Sequence, residues 1–226
     1  MIFQDYSMAR FHMEINKRED IGDVLEQLGL RYGAELGVQR GEFSFEILTR
    51  WHSVEKYSLV DLWAHQSGGL YLGDKANVDS NEQLQIMKDA QQRLKPFGNR
   101  VEFIQNFTSN ASLMIPDDSL DFVYVDARHD YCGVKEDIEK WWPKLKVGGL
   151  MAGHDYLTNQ AVKRIDKDQD WSTCFDGITK NESSVKGAVD EFAALHNITV
   201  YHTLPKYNLW VTWIYEIKKK RHLLLR

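Results

Sequence analysis

Apolar residues recur along this chain in two alternating rhythms. Between residues 17 and 29 they fall at helical spacing, at Ile21, Val24, Leu25 and Leu28, and Gly29 supplies a natural stop. Residues 32–38 read as a strand, Gly41 opens a second helix over about 43–51, and YSLVDLW (57–63) is a strand ending in an acid. NVDSNEQLQIMKDAQQRLKPFG (77–98) predicts a long helix stopped by Pro96 and Gly98, and VEFIQNF (101–107) alternates like a strand. The second half repeats the pattern. LDFVYVDA (120–127) is a continuous apolar run, as expected of a strand buried on both faces. VKEDIEKWWPKLK (134–146) is a helix broken by Gly148 and Gly149, and LMAGHD (150–155) is a further strand. Residues 156–184 are polar, aperiodic and longer than an ordinary connection, so they read as a functional or mobile loop. VKGAVDEFAALHN (185–197) is an amphipathic helix, and ITVYHTL and NLWVTWIYEI, with Pro205 between them, close the chain as an antiparallel hairpin.

Strands alternating with helices predict an α/β fold, a parallel sheet with helices on both faces and an antiparallel edge. No repeat or Pro/Gly/Ser-rich linker divides the chain, so residues 1–226 read as one domain, with 1–30 as an N-terminal helical cap and 156–184 as a substrate-side loop. Hydrophobic residues at 43% and charged residues at 27% are those of an ordinary globular protein. The net charge of −5 argues against a nucleic-acid partner. No stretch suits a bilayer span or a signal peptide, so no membrane partner is expected. The tail KKKRHLLLR (218–226) reads as a frayed end. Cys132 and Cys174 lie far apart, without metal-ligand spacing. They make no disulfide framework and suit a reducing, cytoplasmic setting. Both a monomer and a homo-oligomer fit these properties.

In an open parallel sheet, ligands bind beyond the carboxyl ends of the strands. The predicted tips carry Glu35-Leu36-Gly37, Asp61, Asn106 to Ser109, Asp126 to Asp130, and His154-Asp155. Carboxylates gathered in a crevice are costly unless paired or ligated, so this clustering points to a site. Gly37 and Gly41 in GAELGVQRGEFS (33–44) let backbone approach a ligand and let a helix begin with its free N–H groups facing it. The spacing E-x-G-x-x-x-G is not the dinucleotide fingerprint G-x-G-x-x-G. Asp61, 24 residues beyond Gly37, stands where an acid accepts from ribose hydroxyls in nucleotide-binding sheets. A nucleoside-bearing ligand is the reading that joins these features; a tight turn and a solvated strand end are the plainer one.

AELGVQRGEFS, Asp61 and the string FVYVDARHDYCGVKEDIEKWWPKLKVGGLMAGHDY (122–156) resemble a class I S-adenosylmethionine methyltransferase, closest to the small-molecule branch called methyltransferase family 24. The resemblance runs from about residue 33 to 215. It implies a Rossmann-like seven-stranded sheet of order 3-2-1-4-5-7-6 with the last strand antiparallel, cofactor over strands 1 and 2, and a small-molecule acceptor over strands 4 and 5. It also implies that Glu35 and the Gly37 backbone hold the methionine part, Asp61 the ribose hydroxyls, and Thr108 and Ser109 the adenine side. Gly41 belongs to the same cofactor turn. The family commonly has Ser or Thr two residues after the second glycine; here Phe43 stands there, and Ser44 is the nearest candidate contact.

Catechol-type and macrolide sugar O-methyltransferases look similar at the tips of strands 4 and 5. There they place metal ligands on the acid after strand 4 and on two successive residues after strand 5. Here these are Asp126, His154 and Asp155. They imply a divalent metal, magnesium or manganese, and a histidine favours manganese, iron, nickel or zinc over magnesium. His154 and Asp155 can both ligate only where the chain has turned out of the strand, because neighbouring side chains in a strand point to opposite faces. His129 stands where the macrolide enzymes carry a histidine, which implies a general base acting with Asp126; the plainer reading is a histidine at a helix start. Asp130 reads as the cap of that helix. DKDQD (166–170) lacks the glycine and glutamate of a calcium loop and reads as a solvated acidic loop. Trp63 could flank an adenine or pack in the core, Trp141 and Trp142 read as packing residues, and Trp210, Trp213 and Tyr215 as one face of the last strand. The expected activity is methyl transfer to a small-molecule hydroxyl. A nucleotide-dependent oxidoreductase and a non-catalytic S-adenosylmethionine-binding module are the alternatives.

Overall fold

A computed structural model describes residues 15–67, 74–206 and 208–215. The tail at 218–226 and most of the residues ahead of the first helix lie outside these. Helix α1 (Asp20–Gln27) buries Ile21, Val24 and Leu25 and is followed by β1 (Tyr32–Leu36). Next come α2 (Glu42–Leu48), β2 (Lys56–Asp61), α3 (Ser80–Leu94), β3 (Val101–Gln105), the short α4 (Thr108–Ala111) and β4 (Leu120–Val125). Helix α5 (Tyr131–Trp141), β5 (Leu145–Gly153), α6 (Asn159–Ile165), α7 (Ser184–His196), β6 (Val200–His202) and β7 (Trp213–Tyr215) complete the chain. The strands form one seven-stranded sheet of order β3-β2-β1-β4-β5-β7-β6. The first five are parallel, and β7 runs antiparallel to both β5 and β6. Fold class, strand order and the final hairpin are as the sequence predicts.

The apolar strands alternate between two cores. Tyr57, Leu59, Phe122, Tyr124, Leu150 and Ala152 face one side, where α1, α2 and α3 pack through Ile21, Ile47 and Ile86. Ala34, Leu36, Val123, Val125 and Met151 face the other, against Ile138, Trp141, Val189 and Phe192 of α5 and α7. Local chemistry sets the helix starts. Asp79 accepts from the N–H groups of Asn81 and Glu82 ahead of α3, and Asp130 from Gly133 N–H (2.9 Å) ahead of α5.

Four expectations need correction. Helix α5 gives way to a 3-10 turn at Trp142–Lys144, and β5 already begins at Leu145. Gly148 and Gly149 therefore sit inside the strand, where the register with β4 shifts and Gly148 takes φ +94°. Residues 156–184 are not structureless: they contain α6 and an antiparallel bridge between Thr173 and Lys180. Trp210 lies ahead of β7 and packs on Trp171 (ring centroids 5.6 Å), while Trp213 and Tyr215 share the α5–α7 core. Lastly, Cys132 and Cys174 form a disulfide across a sequence separation of 42. Their distance in sequence hid it: residues 156–184 fold back over the first turn of α5. A disulfide is at home in oxidising surroundings, so the ground for reading a reducing compartment is gone. No helix among the described residues is long and apolar enough to cross a membrane.

The cross-link closes a long loop, and loop-closure entropy of the unfolded chain sets its worth at about 2–4 kcal/mol. Cys132→Ala together with Cys174→Ala should lose that much in urea unfolding, and reduction of the native protein should do the same. Equal unfolding midpoints with and without reductant would show the cross-link to be idle.

Candidate active site

The register aligns the strand ends: Leu36 pairs with Val60 and Val125, Val60 with Ile104, and Val125 with Gly153. All five parallel strands therefore stop at one level, and the residues beyond them surround a cavity of about 760 Å³, within the range of small-molecule sites. Its lining includes Glu35, Gly37, Asp61, Thr108, Ser109, Asp126, His129 and His154.

At β1, Glu35 is 2% exposed and accepts from Ser44 Oγ (2.7 Å) and Tyr57 OH (3.0 Å). Burial pushes its carboxyl up to about 8, against the two hydroxyl donors. Ser44 is fully buried beneath Glu35 and is not among the cavity's lining residues, so it reaches a ligand only through that carboxyl. Gly37 (φ +81°) turns the chain so tightly beneath β4 that a Cβ there would meet the Asp126 carbonyl oxygen at 1.9 Å. Gly41 (φ +70°) starts α2 in a left-handed conformation, one layer back from the cavity lining, against Leu94.

Asp61 faces the cavity and also fastens the turn. Its Oδ2 accepts from Val38 N–H and Gln39 N–H (both 2.8 Å), and its Oδ1 from Trp63 N–H (2.9 Å). Trp63 combines the two roles read from sequence: it is buried on Phe103, ties its indole N–H to the Gln39 carbonyl and lines the cavity. Thr108 donates its hydroxyl to the buried Asp137 (2.5 Å) and accepts at its carbonyl from Trp141 (3.1 Å), which anchors the β3 tip to α5. Burial lifts Asp137 to about 6.

At the tips of β4 and β5, Asp126, His154 and Asp155 bring one ligand atom each to within 4.8 Å of one another. The turn that joint ligation requires is present: β5 ends at Gly153, and Asp155 adopts φ +60°. His154 Nδ1 lies 3.0 Å from Asp155 Oδ1 and 3.8 Å from Asp126 Oδ2. Asp155 Oδ1 and His154 Nε2 are buried without a hydrogen-bond partner among the described residues. Two carboxylates and an imidazole whose buried Nε2 has no partner among the described residues fit a divalent cation.

His129 is the group around which these tips are arranged. Its ring stacks on Trp171 (4.5 Å), Nδ1 meets Asp74 Oδ2 (2.9 Å), and Nε2 lies 3.3 Å from Asp155 and 3.9 Å from Asp126. Burial pushes the imidazole pKa down, but Asp126, Asp74 and Asp155 outweigh it and lift it well above the ordinary range. These acids favour the protonated ring, so a base role calls for a cation beside them to relieve that bias. Asp74 and Trp171 carried no signal in the sequence. Asp74 lies at no strand tip, and Trp171 sits in the segment read as a loop. Asp130 does cap α5, and Asp166 and Asp170 pair with Lys75 and Lys163 instead of forming a cation loop.

The buried Glu35 has a measurable signature. Its folded pKa, about 8, exceeds its unfolded value, so the folded state binds the extra proton between about pH 4.5 and 8. Stability therefore falls as pH rises through that window. Glu35→Gln should remove this part of the decline: the wild-type-minus-variant difference in unfolding free energy should drop by at most about 1.4 kcal/mol per pH unit. A difference that stays flat between pH 5 and 8 would rule out the raised pKa.

No curated protein matches the chain by sequence. Among solved structures, it resembles the O-methyltransferase from Bacillus cereus in complex with SAH (TM-score 0.58, 12% identity, covering 96% of this chain and 89% of that one). It also resembles the O-methyltransferase TomG from Streptomyces achromogenes in complex with SAM (0.57, 12%, 89% and 79%). A third is a putative caffeoyl-CoA O-methyltransferase from Staphylococcus aureus (0.56, 13%, 88% and 82%). At these identities the likeness establishes the fold. A family model described as a methyltransferase domain matches residues 34–156, more than half the chain and the whole span from the Gly37 turn to the tip of β5. The chain thus belongs to this methyltransferase family, as a class I S-adenosylmethionine-dependent enzyme.

Proposed function

We propose that the protein transfers a methyl group from S-adenosylmethionine to a hydroxyl of a small molecule. The observation that carries this reading is the shared cavity, lined by the Glu35–Gly37 turn and, beside it, by Asp126, His129 and His154, with Asp155 directly behind them. In this reading Glu35 and the Gly37 backbone receive the methionine part of the donor. Asp61 keeps lone pairs for the ribose hydroxyls beyond those engaged by Val38, Gln39 and Trp63. Asn106, Thr108 and Ser109 flank the base. Carboxylates at the strand tips suit a donor bearing a sulfonium, whereas a pyrophosphate would face Asp61 and Asp126. That favours this donor over a dinucleotide. The bound SAH and SAM named for two of the fold neighbours agree with it.

Asp126, His154 and Asp155 would hold a divalent cation, with manganese suited to the histidine, and such an ion supplies Lewis acidity toward an acceptor hydroxyl. His129 takes the hydroxyl proton at Nε2, while Asp74 fixes its Nδ1–H and Trp171 its plane. The acceptor oxygen then forms its bond to the methyl carbon as the carbon–sulfur bond breaks, and S-adenosylhomocysteine leaves. Residues 156–184 cover the acceptor side through Trp171 and Phe175, which lines the cavity.

Two tests need no acceptor. S-adenosylhomocysteine should raise the melting temperature, and Asp61→Ala should weaken its binding by about 1–3 kcal/mol, the cost of leaving buried donors unpaired. Tighter binding of NAD than of S-adenosylhomocysteine would overturn the donor assignment. Manganese should raise the melting temperature of the wild type but not of Asp155→Ala, and a chelator should leave S-adenosylhomocysteine affinity unchanged. Once an acceptor is identified, His129→Ala should lower kcat by about 10²–10⁴-fold. Full activity of that variant would leave the histidine a packing role alone.

A further inference from the structure

We infer that Arg18 binds the α-carboxylate of the donor's methionine moiety; this rests on the donor assignment above. The amino-acid end of the donor is a zwitterion, so its site needs both signs of charge. Asp126 supplies the negative side, with the buried, protonated Glu35 beside it as a neutral hydrogen-bonding partner, and three arginines line the cavity: Arg18, Arg40 and Arg128. Arg40 is committed to Asp89, and Arg128 to Glu136 and the Phe175 ring. Arg18 makes no hydrogen bond among the described residues. Its nearest carboxylates, Asp126 and Glu19, lie at 3.8 Å and 4.0 Å, beyond hydrogen-bond reach.

The position of Arg18 fits the role. Its guanidinium lies 5.0 Å over the ring of Phe43, in the first turn of α2, the helix that the Gly37 turn feeds. Phe43 is itself packed on Tyr124 (ring centroids 4.0 Å), so the guanidinium rests on a fixed platform at the Glu35 end of the cavity. The side chain is 25% exposed, so N–H groups that no described residue engages stay open to a ligand. A planar fork of donors held in this way matches a carboxylate. Arg18 precedes the family match, which begins at residue 34, so nothing in the family pattern marks it.

The test pairs S-adenosylhomocysteine with its decarboxylated analogue, S-adenosyl-3-thiopropylamine, which keeps the adenosine, sulfur and amine. Both are titrated calorimetrically into wild type, Arg18→Ala and Arg18→Lys, with circular dichroism as the check on folding. Arg18→Ala should lose about 10–100-fold in S-adenosylhomocysteine affinity, the scale of a charge-assisted hydrogen bond. Its affinity for the analogue, which carries only a positive charge, should be unchanged or slightly improved. Arg18→Lys should recover part of the loss. Equal losses for both ligands would reduce Arg18 to a structural residue. An unchanged S-adenosylhomocysteine affinity, or a wild type that fails to prefer it over the analogue, would place the carboxylate elsewhere. A wild type that binds neither ligand would instead overturn the donor assignment.

Discussion

The site depends on one close approach. Asp126 N–H donates to the Leu36 carbonyl (2.7 Å), and Gly37 passes so near the Asp126 carbonyl that no side chain fits between them. This contact brings the turn after β1 against the tip of β4. It places Glu35 and the Asp126 carboxylate on one cavity wall, and the chain is free to start α2 behind it. Asp61 completes the arrangement from β2, because its carboxylate gathers the two N–H groups that follow Gly37. A methyl group at residue 37 would force the turn after β1 away from the tip of β4.

The second constraint is electrostatic. Acids stand side by side at the strand tips with few full counter-charges: Glu35 stays protonated to about pH 8, and Asp126 shares its surroundings with His129, His154 and Arg18. The unliganded protein thus balances its charge with protons and long ion pairs. Bringing carboxylates together without ligands costs stability. The fold tolerates the cost because two large apolar cores flank the sheet.

Much of this was legible in the sequence. The alternation of apolar runs with amphipathic helices prescribes the parallel sheet, and strand tips are where an α/β sheet must hold its chemistry, so Glu35, Gly37, Asp61, Asp126 and Asp155 stood out. Side-chain direction was not legible: Ser44 turns beneath Glu35, and Thr108 turns toward Asp137, although the family resemblance implied either one as a ligand contact. Groups that arrive from outside the strand–helix rhythm were hidden as well. Asp74 and Trp171 meet at His129 from segments far apart in sequence, and Cys132 finds Cys174 only because residues 156–184 return over α5. Gly148 and Gly149 misled because a glycine pair breaks a helix and kinks a strand with equal ease.

The same returning segment leaves and rejoins the fold at nearly one point. Asn159 N–H donates to the Glu182 carbonyl (3.0 Å), and Lys186 N–H to the Leu157 carbonyl (3.2 Å). With its ends fastened together, the length of chain between them adds little to the entropy of closing the loop. Stretches between these anchors that do not carry Val162, Trp171 or Cys174, which reach the core or the cross-link, can therefore change in length while the sheet keeps its framework. The wall over His129 is therefore an excursion from a fixed neck, and its outer turns can drift in sequence without disturbing the strands beneath.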